Sequence, residues 1–266
     1  MRFPIYAVYR KCGRGNKMRF LKKLILFTLL VLVVGTAVVG GRLIWQGYQI
    51  YKQVTDEESL TEKVAEIRAN PHYTTLDELP QTYKDAVIAV EDSRFYRHGG
   101  FDLISTGRAV IINLKEGELA EGGSTITQQL AKNMYFTQEK KFLRKVAELF
   151  VAFELERDYT KDEILELYLN TIYFGSGYYC VYDAAEGYFG KEPAQMTDYE
   201  STLLAGIPNA PSVYSLTNSP ELAAQRQKTV LECMVQQDYI TQERADAILA
   251  EGEILPNGEV QQAGEE

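Results

Sequence analysis

The chain has 266 residues, 45% of them hydrophobic and 24% charged, with 28 basic against 37 acidic side chains. That balance suits a globular chain able to bury a sizeable core, and excludes a disordered or low-complexity one. The net charge of −9 argues against a nucleic-acid partner.

Eight basic residues and no acidic residue precede Leu24. Residues 24–41, LILFTLLVLVVGTAVVGG, carry no charge over 18 positions, close to the length that crosses a bilayer core. Trp45 at the far end suits the interfacial belt. These features predict a basic cytoplasmic tail over 1–23 and a single transmembrane helix over 24–45, with the rest of the chain extracytoplasmic. A cleaved signal peptide is the competing reading, disfavoured by the length of the run and the lack of a small-residue cleavage site. Beyond the tail, 20 basic residues face 37 acidic ones.

Residues 46–70 are polar and helical in pattern, which predicts a stalk. Pro71 and Pro80 punctuate the start of a globular domain expected over 71–250. Tyr83, Val87 and Val90 recur at helical spacing, as do Phe142, Val146, Leu149 and Phe153. Thr125 with Gln128 and Thr160 with Glu163 read as capping boxes that start helices. Residues 171–191, rich in Tyr, Phe and Gly, read as a packed loop around short helices. Pro208 and Pro211 interrupt a further helix, and 251–266 reads as a flexible tail. Alternating strands are scarce, so the expected fold class is mainly α. Cys12, Cys180 and Cys233 imply no disulfide framework, and two histidines offer no metal-ligand cluster.

Three segments could carry chemistry. Glu91 follows the apolar run Ala86–Val90 and shares or borders its face, so burial should raise its pKa towards that of a general acid or base. An ion pair with Arg94 or Arg97 is the structural alternative. Gly122-Gly123-Ser124-Thr125 opens a helix whose N-terminus could hold an anion, with Gln129 and Lys132 further along; an ordinary capped helix explains it equally well. Lys141, Arg144, Lys145 and Glu148 form a flank suited to a diphosphate, or a solvated face of paired charges.

In combination these segments resemble glycosyltransferase family 51, the peptidoglycan glycosyltransferases. The family pattern Glu-Asp-x-x-Phe-x-x-His-x-Gly matches residues 91–100, Gly-x-Ser-Thr-Ile-Thr-Gln-Gln-x-x-Lys-Asn matches 122–133, and Arg-Lys-x-x-Glu matches 144–148. Further blocks match 164–170 with 188–191, and 204–211. The resemblance covers roughly 71–235 and departs at Cys180, where the family usually has glycine; if that glycine needs a positive φ, the loop must differ here.

The resemblance implies a lysozyme-like, two-lobed, mainly α domain behind one N-terminal transmembrane helix. It implies an enzyme that polymerises lipid II into β-1,4 glycan strands by inverting displacement of undecaprenyl diphosphate. Glu91 would deprotonate the acceptor hydroxyl. Glu148 would act near the donor diphosphate, directly or through a divalent cation, Mg or Mn. Lys132 and Arg144 would bind the diphosphate, and Ser124, Thr125 and Gln129 would line the donor site. Lipid II, the nascent glycan strand, the bacterial membrane and cell-wall synthesis proteins are the partners it implies. Phe101, Leu103, Ile104, Val110, Ile111 and Ile112 would form either a membrane-dipping lobe or ordinary core. The sequence lacks a Lys-Thr-Gly box, which leads to the expectation of a monofunctional enzyme. A lysozyme-like lytic hydrolase and an inactive cell-wall scaffold are the rivals.

Overall fold

The computed structural model describes residues 14–116, 122–136, 142–254 and 260–262. Its helices in chain order are α1 (Arg14–Glu57), α2 (Leu60–Arg68), α3 (Gln81–Glu91), α4 (Leu103–Glu116), α5 (Ile126–Tyr135) and α6 (Phe142–Asp158). They continue as α7 (Lys161–Leu169), α8 (Val181–Phe189), α9 (Asp198–Gly206), α10 (Pro211–Tyr214), α11 (Pro220–Gln236) and α12 (Gln242–Ala250). The fold is mainly α. Gly252–Ile254 pairs antiparallel with Val260–Gln262, within the segment that reads as a flexible tail.

Both predicted capping boxes form: Thr125 caps α5 with Gln128, and Thr160 caps α7 with Glu163. Ser59 and Thr197 start α2 and α9 in the same way. Each box satisfies two of the backbone donors that a helix start leaves open. The core lies where α3, α9 and α11 pack together and α5 packs on α6 and α7. Tyr83, Phe95, Ile126, Leu130, Leu155 and Tyr168 are fully buried in it.

The N-terminal region differs from the expected division into span and stalk. One helix of 44 residues runs from Arg14 to Glu57. An 18-residue window within it has a mean hydropathy of 2.6 and no buried share, so it is long and apolar enough to cross a membrane. Its last turns pack on α6, with Tyr48 and Tyr51 against Phe150. Polar patterning on the outer side hides this contact, because a tyrosine can pack its ring and still satisfy its hydroxyl, as Tyr51 does by donating to Glu154 Oε2. Of the predicted tail over 1–23, residues 1–13 lie outside the described residues and the rest belongs to α1.

Helix α6 also differs. Phe142 and Phe153 of the predicted stripe are 69% and 50% exposed. The buried stripe is the neighbouring one, Ala147, Glu148, Val151, Ala152 and Leu155. The small Ala147 and Ala152 lie on the buried side of α6, and the large Phe142 and Phe153 are left outside. Leu103, Ile104 and Ile111 are exposed rather than core, Leu103 at 74%; the side chains of Val110 and Ile112 lie outside the described residues.

Cys180 is the N-cap of α8 with φ −146°, an extended backbone open to any residue, so no glycine conformation is lost there. The positive φ values of this loop fall at Gly175 (82°), Ser176 (52°) and Gly177 (91°).

Candidate active site

Glu91 is the last residue of α3. Tyr83 and Val87, on the same side of the helix, are buried, which sets its carboxyl against apolar neighbours. Its Oε2 accepts a hydrogen bond from Gln129 Nε2 at 2.7 Å, and Gln129 Oε1 accepts one from Tyr168 OH at 3.3 Å. Tyr168 and Gln129 thus fix how the carboxyl points. Its Oε1 is enclosed and has no hydrogen-bond partner. Burial pushes the Glu91 carboxyl above the ordinary carboxylate range, against the opposing effects of the Gln129 hydrogen bond and the Arg226 charge. The alternative partner Arg94 is engaged elsewhere, its Nε 2.9 Å from Asp102 Oδ2.

The next residue, Asp92, is structural. Its Oδ2 accepts from Ile126 N at 3.0 Å, and His98 Nε2 lies 2.9 Å from its Oδ1. It therefore clamps the start of α5 beside Glu91. Thr125 Oγ1 donates to Gly100 O at 2.8 Å and accepts from Gln128 N at 3.1 Å. With the amides of Ile126 and Gln128 taken inside the fold, the ordinary capped helix describes this N-terminus better than an open anion cradle.

The cations gather one step away. Lys145 Nζ donates to Ser124 Oγ at 2.9 Å and lies 2.9 Å from Glu148 Oε2. Arg144 Nε lies 2.8 Å from Glu148 Oε1. Glu148 itself is 0% exposed. Lys132 takes no hydrogen-bond or ion-pair partner among the described residues. Burial lowers its pKa, helped by the Arg144 and Lys145 charges and opposed by Glu148.

A cleft of about 560 Å³ collects Glu91, Ser124, Gln129, Lys132, Lys145 and Arg226 on its walls. Thr125 borders it but is buried and committed to the cap. Arg144 and Glu148 are not among its lining residues. Glu148 stands behind Lys145, because it belongs to the buried stripe of α6. Its two oxygens already face cations, so Glu148 is committed to Arg144 and Lys145. Among the described residues no group of three or more His, Cys, Asp or Glu side chains could hold a metal.

Among the described residues, three buried polar atoms on lining residues have no hydrogen-bond partner: Glu91 Oε1, Gln128 Nε2 and Arg226 Nε. Buried polar atoms are rarely left unpaired, so one acceptor and two donors around one cleft describe a place for a polar ligand. Gln128 shares the α5 face that the sequence offers for an anion, whereas Arg226 was not legible as a site residue. Arg226 lies on α11, which Gln237 Nε2 ties to Ala89 O of α3 at 2.9 Å. No local signal marks it, because its charge meets Glu91 only through packing of distant helices.

A family-level description, "Transglycosylase", matches residues 48–235. The chain is 47% identical to penicillin-binding protein 1F of Bacillus subtilis over 186 residues, covering 70% of this chain and 26% of that protein. It is 40% identical to penicillin-binding protein 1A of Vibrio cholerae over 253 residues, covering 90% of this chain and 30% of that protein. Against the crystal structure of penicillin-binding protein 1A from Haemophilus influenzae the TM-score is 0.41 at 26% identity, covering 71% of this chain and 18% of the other. The chain therefore spans about a quarter to a third of the length of these curated relatives.

Proposed function

The chain belongs to the transglycosylase family, and from that premise we propose that it is a membrane-anchored peptidoglycan glycosyltransferase that polymerises lipid II. The observation that carries this reading is the Glu91 carboxyl, oriented through Gln129 and facing a cleft whose other wall is cationic.

The acceptor 4-hydroxyl attacks the donor anomeric carbon. The new oxygen–carbon bond forms as the carbon–oxygen bond to the diphosphate breaks, and the hydroxyl proton passes to Glu91. Attack from the face opposite the leaving group inverts the anomeric configuration. The leaving diphosphate takes the bonding electron pair, and Lys132 and Lys145 meet its charge. A partly desolvated Lys132 that takes no hydrogen-bond or ion-pair partner among the described residues is suited to this, because an anion would supply that interaction. Glu148 acts indirectly: it holds Arg144 and Lys145 as a row and stops their charges from pushing the helix apart.

Helix α1 anchors the domain, with its basic end in the cytoplasm and the catalytic part outside. Exposed Leu103, Ile104 and Ile111 add apolar surface beside the cleft wall formed by Ser105 and Arg108. A lipid-linked substrate would meet both at the bilayer surface. Full-length protein in detergent, given lipid II, should yield glycan polymer. Release of soluble fragments from mature glycan, with no polymer from lipid II, would replace this reading with the hydrolase.

A further inference from the structure

The apolar helix and the cation row meet at one glycine. Gly47 is the buried residue of α1 among those described. A Cβ built on it would stand 2.6 Å from Val146 Cβ and 3.4 Å from Ala147 N. Cβ atoms do not approach so closely, and Val146 is β-branched on a helix, where its side chain has nearly one rotamer. Any larger residue at 47 must therefore displace a helix rather than a side chain. The surroundings fix that seat. Tyr48 meets Phe150 edge-on and Tyr51 meets it at a tilt, with centroids 5.4 and 5.7 Å apart, and Tyr51 OH donates to Glu154 Oε2 at 2.9 Å. Val146 directly follows Lys145, which bridges Ser124 and Glu148. Glu148 lies two residues further on. Movement of α6 at this turn carries Lys145 with it.

We propose that Gly47 is a positioning residue: its bare Cα seats the apolar helix on α6 at the depth that places Lys145 and its neighbours to bind a diphosphate. The ligand class rests on the function proposed above, whereas the seat rests on the packing alone. The anchor and the cationic wall then form one unit, and a change in the depth of α1 is felt in the cleft.

The test uses full-length protein in detergent, with inorganic diphosphate as the binding probe and lipid II polymerisation as the second readout. Gly47→Ala should weaken diphosphate binding and lower turnover by about ten- to a hundredfold, the scale of a displacement near 1 Å at a reacting centre. Val146→Ala alone should stay near wild type, and Gly47→Ala with Val146→Ala should recover most of the loss by clearing the clash. Tyr51→Phe weakens the seat without inserting an atom, so it should lower the thermal midpoint and leave diphosphate affinity unchanged. Wild-type affinity in Gly47→Ala, or no recovery in a folded double variant, overturns the proposal. If Gly47→Ala fails to fold, the double variant still decides by its affinity. Wild-type protein that binds no diphosphate also overturns it. Absence of polymer from lipid II, with diphosphate binding and its rescue intact, sinks the function proposed above and leaves this inference standing.

Discussion

Glu91 and Glu148 sit on two helices that wall one region of the molecule, and the fold leaves them in opposite states. Glu91 ends α3 with one oxygen enclosed and unpaired. Glu148 lies inside α6 with each oxygen against a cation. A carboxylate that must take a proton needs a free lone pair and a strained ionised form; a carboxylate that must hold cations needs neither. Both are glutamates on helices whose other buried residues are apolar. What separates them is whether charged partners lie one helical turn away on the same helix.

The largest effect expected is the loss of catalysis in Glu91→Gln. The amide keeps size and packing but cannot accept the proton, so polymerisation should fall by about a hundredfold to ten-thousandfold. Folding raises the Glu91 pKa, so the folded state holds that proton more tightly than the unfolded chain. Ionised Glu91 therefore costs stability above the unfolded carboxylate range, and nothing below it. The Gln variant should accordingly melt higher than wild type at neutral pH, with the difference vanishing in acid. Thermal scans at the two pH values check this. A Gln variant that is less stable at neutral pH would contradict the desolvated state assigned to Glu91.

Glu148→Ala should do the reverse. It leaves two cations facing each other beside a buried void, and should cost about 2–3 kcal/mol of stability, less than a fully buried pair because Lys145 is partly exposed. Denaturant titration reads this. Glu148→Gln should retain more activity than Glu91→Gln and keep the same pH profile. If it abolishes turnover while the protein stays fully folded, Glu148 touches the reacting groups and the contrast drawn here fails.

A smaller effect sharpens the Glu91 side alone. Arg226 holds the Glu91 pKa down against burial. A base works when deprotonated, so kcat/KM should rise with pH through the Glu91 pKa. Arg226→Gln removes the opposing charge, and the acidic limb should move to higher pH. A limb that stays in place while KM alone changes would make Arg226 a substrate contact with no influence on the base.

Much of this was legible along the chain and part of it could not be. The α3 periodicity placed Glu91 on its apolar face, and the boxes at Thr125 and Thr160 marked two helix starts, because both signals lie within a few residues. The predicted stripe of α6 was misplaced by a neighbouring face. Phe142 and Phe153 outweighed Ala147 and Ala152 in any count of hydrophobicity, although the alanines are the buried ones. That shift hid the burial of Glu148. Arg226 and the seat of Gly47 depend on packing between helices about a hundred or more residues apart, which no local pattern encodes.

The smallest effect concerns the loop beyond the cleft. Cys180 is buried, extended and caps α8, its Sγ accepting from Asp183 N at 3.4 Å. If a glycine conformation mattered here, Cys180→Gly would relieve strain and raise the melting point. With φ at −146° there is no strain to relieve. The substitution instead removes a buried side chain and a cap and frees the unfolded backbone, so it should cost about 1 kcal/mol. Activity should be unchanged, because Gly175 and Gly177 already supply the left-handed turns. A Cys180→Gly protein that melts higher, or turns over faster, would show that this loop is coupled to the cleft in a way its backbone does not reveal.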